Sequence, residues 1–558
     1  MKLLIVESPG KVKKIQSFLG NGWKVMASVG HVRDLPIKEI GVAPPDFKPT
    51  YVATERGKEV LARLKAAAKT AEAVYLATDP DREGEAIAWH LEDALKLKNA
   101  KRVTFTEITE KAVQAALKHP RRVDMALVAA QEGRRVLDRL VGYLVSPALS
   151  RANGAKLSAG RVQSPALRSV VEREREIRGF RITAHYGAEL SFSDGWKASW
   201  LTKPWLEPGQ EYFLDKELAV RVAAQRTLKV LDCQETETRV APPPPFTTSS
   251  LQQAASNALK FAPKKTMQLA QRLYEAGRIT YMRTDSPNLS LDAIAEIRSY
   301  CASRGWSLPA KSRIWKNKAG AQEAHEAIRP THIEVEEAGD TDDEMVLYRL
   351  IRQRTLASLL EDAVYAVRTV QLQGEQIDAK ATIFEAKGRT VLSPGWKQIM
   401  ESDQSEDVQD AAAFNSSNNL APQLKPEARL VAISGRLLSK KTAPPTRYSE
   451  ATLIKELERF GIGRPSTYAA ILDTIMSRDY VRLEKRCLVP TPAGEALIDA
   501  LAPHFGFLDY DFTRRIEDAL DSIAQGKAAY APVIQDAHGQ LEKELQAFIS
   551  AQSKRLAP

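Results

Sequence analysis

Cysteine is nearly missing. Cys233, Cys301 and Cys487 are all that 558 residues carry, far apart and without a CxxC pair. That excludes a thiolate zinc site and a disulfide framework, and fits a reducing compartment. Long apolar runs are missing too: none approaches the ~20 residues of a membrane span. Residues 1–7, Met-Lys-Leu-Leu-Ile-Val-Glu, are too short and too soon acidic for a signal peptide. These absences predict a cytoplasmic chain with no membrane partner. The pattern G-x-x-x-x-G-K-[ST] occurs nowhere, so no ATP site of the phosphate-loop kind is supported. Aromatics make up 7% of the chain, too few to reveal stacking platforms for bases. The positive excess is modest, +10 with an isoelectric point near 9.2. It permits a nucleic-acid partner, and a solvated basic surface meets it equally. There is no internal repeat.

What is present is length, enough for three or four domains. Residues 2–7 form a β-branched, leucine-rich strand, Ser8-Pro9-Gly10-Lys11 turns, and 12–19 reads as a helix. The pattern recurs at 73–78, a buried strand ending at Asp79-Pro80-Asp81-Arg82-Glu83-Gly84-Glu85, followed by a helix with Ile87, Leu91 and Leu95 on one face. Two strands each leading into a helix predict parallel α/β architecture, whose ligands bind at the carboxyl ends of the strands. Glu7 and Asp79 stand there. Residues 123–178 read as helical and basic, 182–239 as short strands, and 240–246 as a proline-rich linker. A second helical block covers 250–357 and strands return over 363–437, interrupted by a polar stretch at 401–419. A Pro-Pro pair at 444–445 opens a last helical block. Strand composition on both sides of the second helical block predicts one β domain, entered, left and re-entered.

Four stretches carry chemistry. Asp79-x-Asp81-x-Glu83 places three carboxylates after a buried strand, where they repel unless a cation sits among them. Mg²⁺ suits such oxygens, with Glu7 at the neighbouring strand end; acids favouring the next helix's N-terminus are the plainer alternative. In Ile279-Thr280-Tyr281-Met282-Arg283-Thr284-Asp285-Ser286, an extended chain puts Tyr281 and Arg283 on one side. A phenol beside a guanidinium suits attack on a phosphodiester; a half-buried strand tyrosine fits as well. His325 and His332 lack HExxH spacing, which leaves His325 and Arg329, four apart, as a phosphate pair or as structural residues. Gly461-Ile462-Gly463-Arg464-Pro465-Ser466-Thr467 reads as a phosphate-binding turn or as an ordinary turn before a helix. The arginines at 134, 135, 139 and 161 are either strand-binding or basic surface.

In order along the chain, these stretches resemble the type IA DNA topoisomerases. The resemblance rests on Glu7 to Lys11, Ser28-Val29-Gly30-His31, the Asp79/Asp81/Glu83 motif, Ser158 to Pro165, Pro263-Lys264-Lys265-Thr266, Tyr281 to Asp285, Gln322 to Pro330 and Gly461 to Thr467. Tyr-Met-Arg-Thr-Asp and Ser-Ala-Gly-Arg-Val-Gln-Ser are similar to the bacterial topoisomerase I branch. The family implies a multidomain α/β and α+β fold forming a toroidal clamp. A Toprim domain at 1–122 would be Rossmann-like. A helical DNA-binding gate domain would take 123–178 and 441–558, a split β domain 179–241 and 363–440, and a helical domain bearing the tyrosine 242–362.

The resemblance also implies the reaction. Tyr281 would attack one strand, giving a 5′-phosphotyrosine and a free 3′-hydroxyl; a second strand passes, and the hydroxyl reverses the step. Negatively supercoiled DNA would be relaxed without ATP. Arg283, and His325, would bind phosphate. Lys11 would be general acid and Glu275 a further active-site acid. Glu7, Asp79, Asp81 and Glu83 would hold Mg²⁺. His31, Arg134, Arg135, Asp138, Arg161, Gln163, Lys264, Thr284, Arg329, Arg464, Ser466 and Thr467 would contact single-stranded DNA, with the protein a monomer. Relatives usually continue into zinc ribbons. This chain reaches Pro558 with no CxxC, a departure from the family pattern that predicts cleavage without zinc and poorly processive relaxation. A topoisomerase III-like decatenase, a Toprim primase or nuclease, and a non-catalytic DNA-binding protein stay open as alternatives.

Overall fold

The structure, a computed structural model, describes residues 1–154, 156–317, 326–400, 419 and 421–556. His325 and almost all of the polar stretch at 401–419 lie outside the described residues. A four-stranded parallel sheet opens the chain, in the order Trp23–Ala27, Lys2–Val6, Val74–Ala77, Lys101–Arg102. Leu3 to Val6 are fully buried, as central parallel strands covered on both faces must be. Alternation sends Leu3 and Ile5 into one core with the helices Glu55–Thr70 and Arg82–Leu95, and Leu4 and Val6 into another.

That second core is shared. It joins Leu4, Val6, Phe105 and Ile108 to Tyr274, Tyr281 and Ile328 from the block more than a hundred residues downstream. At the same seam Tyr281 N–H donates to the Thr106 carbonyl at 2.7 Å, and Arg329 pairs with Glu107 at 2.9 Å. Gly277, with φ of +67°, lies so close that a Cβ there would collide with the Ile108 carbonyl oxygen.

The strands flanking the downstream block form one seven-stranded antiparallel sheet. Its order is Arg429–Val431, Thr227–Val240, Ala363–Ile377, Lys380–Ser393, Lys197–Trp200, Ala184–Ser191, Ser434–Lys441. Residues 123–178 are not continuously helical. The helix Met125–Asn153 ends at left-handed Gly154, and the helix Gln163–Gly179 begins after an irregular link that contains Arg161. Glycine at that position stops a helix by accepting a φ that side chains avoid. These two helices share a core with Glu450–Phe460, Tyr468–Ser477, Pro492–Leu501, Tyr510–Ala524 and Tyr530–Leu556. No helix among the described residues is long and apolar enough to cross a membrane.

Contacts run round the chain. The amino-terminal sheet meets the downstream block at Thr106. That block meets the carboxyl-terminal helices through Ser249–Glu458 at 2.6 Å and Lys264–Asp473 at 3.0 Å. Those helices return to the amino-terminal region through Arg82–Asp521 at 2.6 Å.

Candidate active site

Glu7 and Asp79 follow adjacent parallel strands, so the fold sets them side by side; Asp79 N–H reaches Glu7 Oε2 at 3.4 Å. The acidic turn is built tightly. Asp81 caps the helix Arg82–Leu95 by accepting from Gly84 N–H at 2.8 Å, and Thr78 Oγ1 donates to the Gly84 carbonyl at 2.5 Å. Gly84 presses on the Asp79 backbone, leaving no room for a Cβ. Arg102, fully buried, pins the turn by donating to the carbonyls of Thr78 at 2.8 Å and Asp79 at 2.7 Å and to Glu85 at 2.9 Å. The sequence reading passed over Arg102 and Glu85; a single arginine in a short strand carries no signal until its burial is known.

Crowded acids under low dielectric behave as expected. Burial, with Asp79 adding, pushes the Glu7 carboxyl up to about 8. Lys11 is buried, paired with Asp79, with its ammonium 5.0 Å from the Tyr274 ring centre. No three of these four carboxylates have oxygens within 4.8 Å of one another; among the described residues only the exposed trio Glu296, His332 and Glu334 does. The donor set is all oxygen, which fits Mg²⁺ held by one or two carboxylates with water and phosphate rather than by an all-protein cage.

Tyr281 comes to this turn from 200 residues away, and its hydroxyl donates to Asp81 Oδ2 at 2.7 Å. Burial, then Asp81 and Asp79, raise the phenol well above its ordinary value. Arg283 reaches Glu83 at 2.9 Å and Asp81 at 3.6 Å. Beside Glu83 stands His31, at 3.7 Å. His31 first, with Arg283 adding, holds Glu83 down at about 2 against its burial. His31 is delivered by a strained turn: Val29, a β-branched residue, has φ of +60°. Glu275, the last residue of the helix Pro263–Glu275, sits against Gly10, where a Cβ would collide with its carboxylate.

The Tyr281 segment is not a strand, contrary to the expectation. It has one bridge, Ile279 to Pro330, after which Thr280 N–H bonds to Arg329 and Tyr281 N–H to Thr106. Successive donors go to different partners, so no ladder can continue. Tyr281 and Arg283 nevertheless meet the same acidic turn.

A cavity of about 310 Å³ opens beside it, lined by Asp81, Glu83, Arg82, Arg134, Arg283, Arg464, Ser466, Thr467 and Asp521 among others. Thr467 Oγ1 accepts from Arg464 N–H at 2.8 Å, closing the turn that carries these residues. A second cavity of about 700 Å³ shares Arg283 and Ser466 and adds Glu7 and Lys264.

Other expected contacts lie elsewhere. Thr284 is buried, its hydroxyl accepting from Ser286 N–H at 3.0 Å, so it has no face for a strand. Arg329 is buried at the seam, paired with Glu326 at 2.5 Å and Glu107 at 2.9 Å, behind Tyr281 rather than beside the acids. Arg161 is buried behind Arg134 and bonds Asp138 at 3.0 Å. Arg135 pairs with Asp34 at 2.6 Å. Gln163, half-buried, starts its helix. His325 lies outside the described residues.

The sequence reading also missed the carboxylates that hold the arginines. Glu517, fully buried in Tyr510–Ala524, takes Arg134 at 2.6 Å and Arg161 at 2.7 Å. Asp521 takes Arg82 at 2.6 Å and Arg464 at 2.7 Å. Their spacing of four was the available signal.

Comparison with known proteins places this geometry. The DNA topoisomerase family profile matches residues 122–535 and the Toprim domain profile residues 2–108. "DNA topoisomerase I, plasmid" of Xylella fastidiosa is 54% identical over 99% of this chain and 85% of that protein. DNA topoisomerase 1 of Aquifex aeolicus is 39% identical over 96% of this chain and 97% of that protein. The full-length topoisomerase I structure from Thermotoga maritima superposes with a TM-score of 0.84, at 33% identity, over 97% of this chain and 90% of that one.

Proposed function

The chain belongs to the bacterial DNA topoisomerase I family of type IA enzymes, and we propose that Tyr281 is the nucleophile with which it opens one strand of DNA. The observation that carries this is the 2.7 Å bond from the Tyr281 hydroxyl to Asp81, made across 200 residues of chain. A buried phenol stays protonated at neutral pH, so attack needs a base at hand, and Asp81 is placed to take the proton. As the phenolic oxygen bonds to phosphorus, the bond to the 3′-oxygen breaks, leaving a 5′-phosphotyrosine. Lys11 gives the leaving oxygen its proton, and Arg283 neutralises the phosphate. Resealing runs the same steps backwards from the 3′-hydroxyl.

Toprim domains in general bind Mg²⁺. Here Glu7 with Asp79, Asp81 and Glu83 would hold it, and when bound it supplies positive charge that orients the phosphate and the 3′-oxygen. The phosphotyrosine keeps the energy of the broken bond, so relaxation requires no ATP. Both halves of the site come from one chain, which supports a monomer. Single-stranded segments of underwound DNA are the substrate we assign, gripped by Arg134, Arg464, Ser466 and Thr467 around the cavity. Domains at 1–122, 123–178 with 441–558, 179–241 with 363–440, and 242–362 fit the contacts described.

The test is a covalent adduct. Incubation with single-stranded DNA and quenching with denaturant should trap protein on the 5′-phosphate end created at the break, and Tyr281→Phe should trap none. Equal adduct from that variant overturns the assignment.

A further inference from the structure

Glu517 and Asp521 lie one turn apart on the same face of Tyr510–Ala524, both facing arginines, but their surroundings differ. Glu517 is sealed: its carboxylate has no exposure, it does not line the cavity, and it holds Arg134 and the buried Arg161 closely, with Arg464 farther off at 4.0 Å. Asp521 lines the cavity. Its partners come from two distant places, Arg82 inside the acidic turn and Arg464 in the Gly-Ile-Gly-Arg turn. Arg82 and Arg464 keep 16% and 20% of their side-chain surface, so a ligand in the cavity can reach both. Arg464 approaches Asp521 Oδ2 through both Nε at 3.2 Å and Nη2 at 2.7 Å. A guanidinium fork receives a carboxylate or a phosphate with the same geometry.

We propose that Asp521 occupies the place of a DNA phosphate in the strand-free enzyme, while Glu517 is the fixed seat of the arginines, so that the two carboxylates act on strand binding with opposite sign. An entering phosphate takes Arg464 and Arg82 from Asp521. The exchange of one anion for another keeps both guanidiniums satisfied throughout, and it makes affinity for the strand lower than the arginines alone would give. Because Arg82 stands between Asp81 and Glu83, the same exchange loosens the contact between the acidic turn and the carboxyl-terminal helices. Glu517 has no such exchange open to it. Removing its charge leaves Arg134 and Arg161 repelling each other in a buried site. This inference rests on the reading that a single strand enters this cavity.

The experiment measures binding of dye-labelled oligothymidylate to the full chain by fluorescence anisotropy at several salt concentrations without Mg²⁺. Asp521→Asn and Asp521→Ser should bind about three- to tenfold tighter than the unaltered protein, and Glu517→Gln about tenfold weaker. A purely structural role for Asp521 predicts weaker binding in all three. On the unaltered protein, carbodiimide labelling of carboxylates read by mass spectrometry should rise at Asp521 when the strand is bound and stay absent at Glu517. That measurement stands even where a substitution prevents folding. Unchanged or weaker binding by folded Asp521 variants, or labelling that falls at Asp521, overturns the inference and leaves the strand-binding reading intact. If the unaltered protein shows no salt-sensitive binding, the reading beneath it fails.

Discussion

Arg283 touches two carboxylates of the acidic turn, at 2.9 and 3.6 Å, and it moves with Tyr281 because only one residue separates them. A planar fork can hold a phosphate and a carboxylate at once, whereas an ammonium is a point charge on a flexible stem. Arg283→Lys should therefore lower single-turnover cleavage by roughly 10- to 100-fold, with oligonucleotide affinity changed by less than about threefold. Quenched-flow cleavage beside anisotropy separates the two, and equal losses in both would contradict the role. At this scale the sequence was legible where chemistry and spacing coincide. Tyr281, Arg283, Glu7 and the three acids could all be named from it. Thr284 and Arg329 misled because a hydroxyl and a guanidinium in a motif look alike whether they face a ligand or brace a seam.

Among elements, the helix Tyr510–Ala524 illustrates what the sequence withheld. Its carboxylates at 517 and 521 look like surface acids on an amphipathic helix until their four arginine partners arrive from three other regions. Glu517 is held down at about 2: burial pushes the other way, and Arg134, Arg161 and Arg464 prevail. A depressed carboxyl contributes stability above its unfolded value near 4.3 and loses it as pH falls through the folded one. Glu517→Gln should thus cost roughly 3 kcal/mol at pH 7, with the gap to the unaltered protein closing between about pH 4.5 and pH 2. Thermal unfolding at pH 7, 4 and 2.5 checks this, and a gap that widens on acidification would refute it. The opposite error occurred at 154–162, read as part of one helical stretch, where Gly154 and the Arg161 link break it. Helical composition on both sides hid a boundary that depends on one left-handed glycine.

For the molecule as a whole, the strands at either side of the tyrosine block pair into one sheet, and that interrupted arrangement was readable because β composition returns after a helical interval. Where the regions touch was not readable, since contacts over hundreds of residues leave no local pattern. The seam carries an exposed pair, Lys111 with Asp292 at 3.2 Å, at its rim. Such a pair adds little stability, but it marks where the two sides can be tied. Lys111→Cys with Asp292→Cys, in a background lacking Cys233, Cys301 and Cys487, can be bridged by a short bismaleimide. Bridged protein should still form the covalent adduct with an oligonucleotide yet lose plasmid relaxation at least tenfold, since the tie blocks passage rather than chemistry. Retained relaxation would show that the seam does not part.

If the gate opens at the core shared by Leu4, Val6, Phe105 and Ile108 with Tyr274, Tyr281 and Ile328, that core would also govern the response to cold. Parting the seam would bring apolar surface into water, a step with a large positive heat capacity. Its free-energy cost therefore peaks at a moderate temperature and declines on cooling, when water accepts apolar groups more readily. In a chilled cell, where DNA itself unwinds less easily, the gate would open with less resistance. The thermal behaviour of the protein and that of its substrate then offset one another.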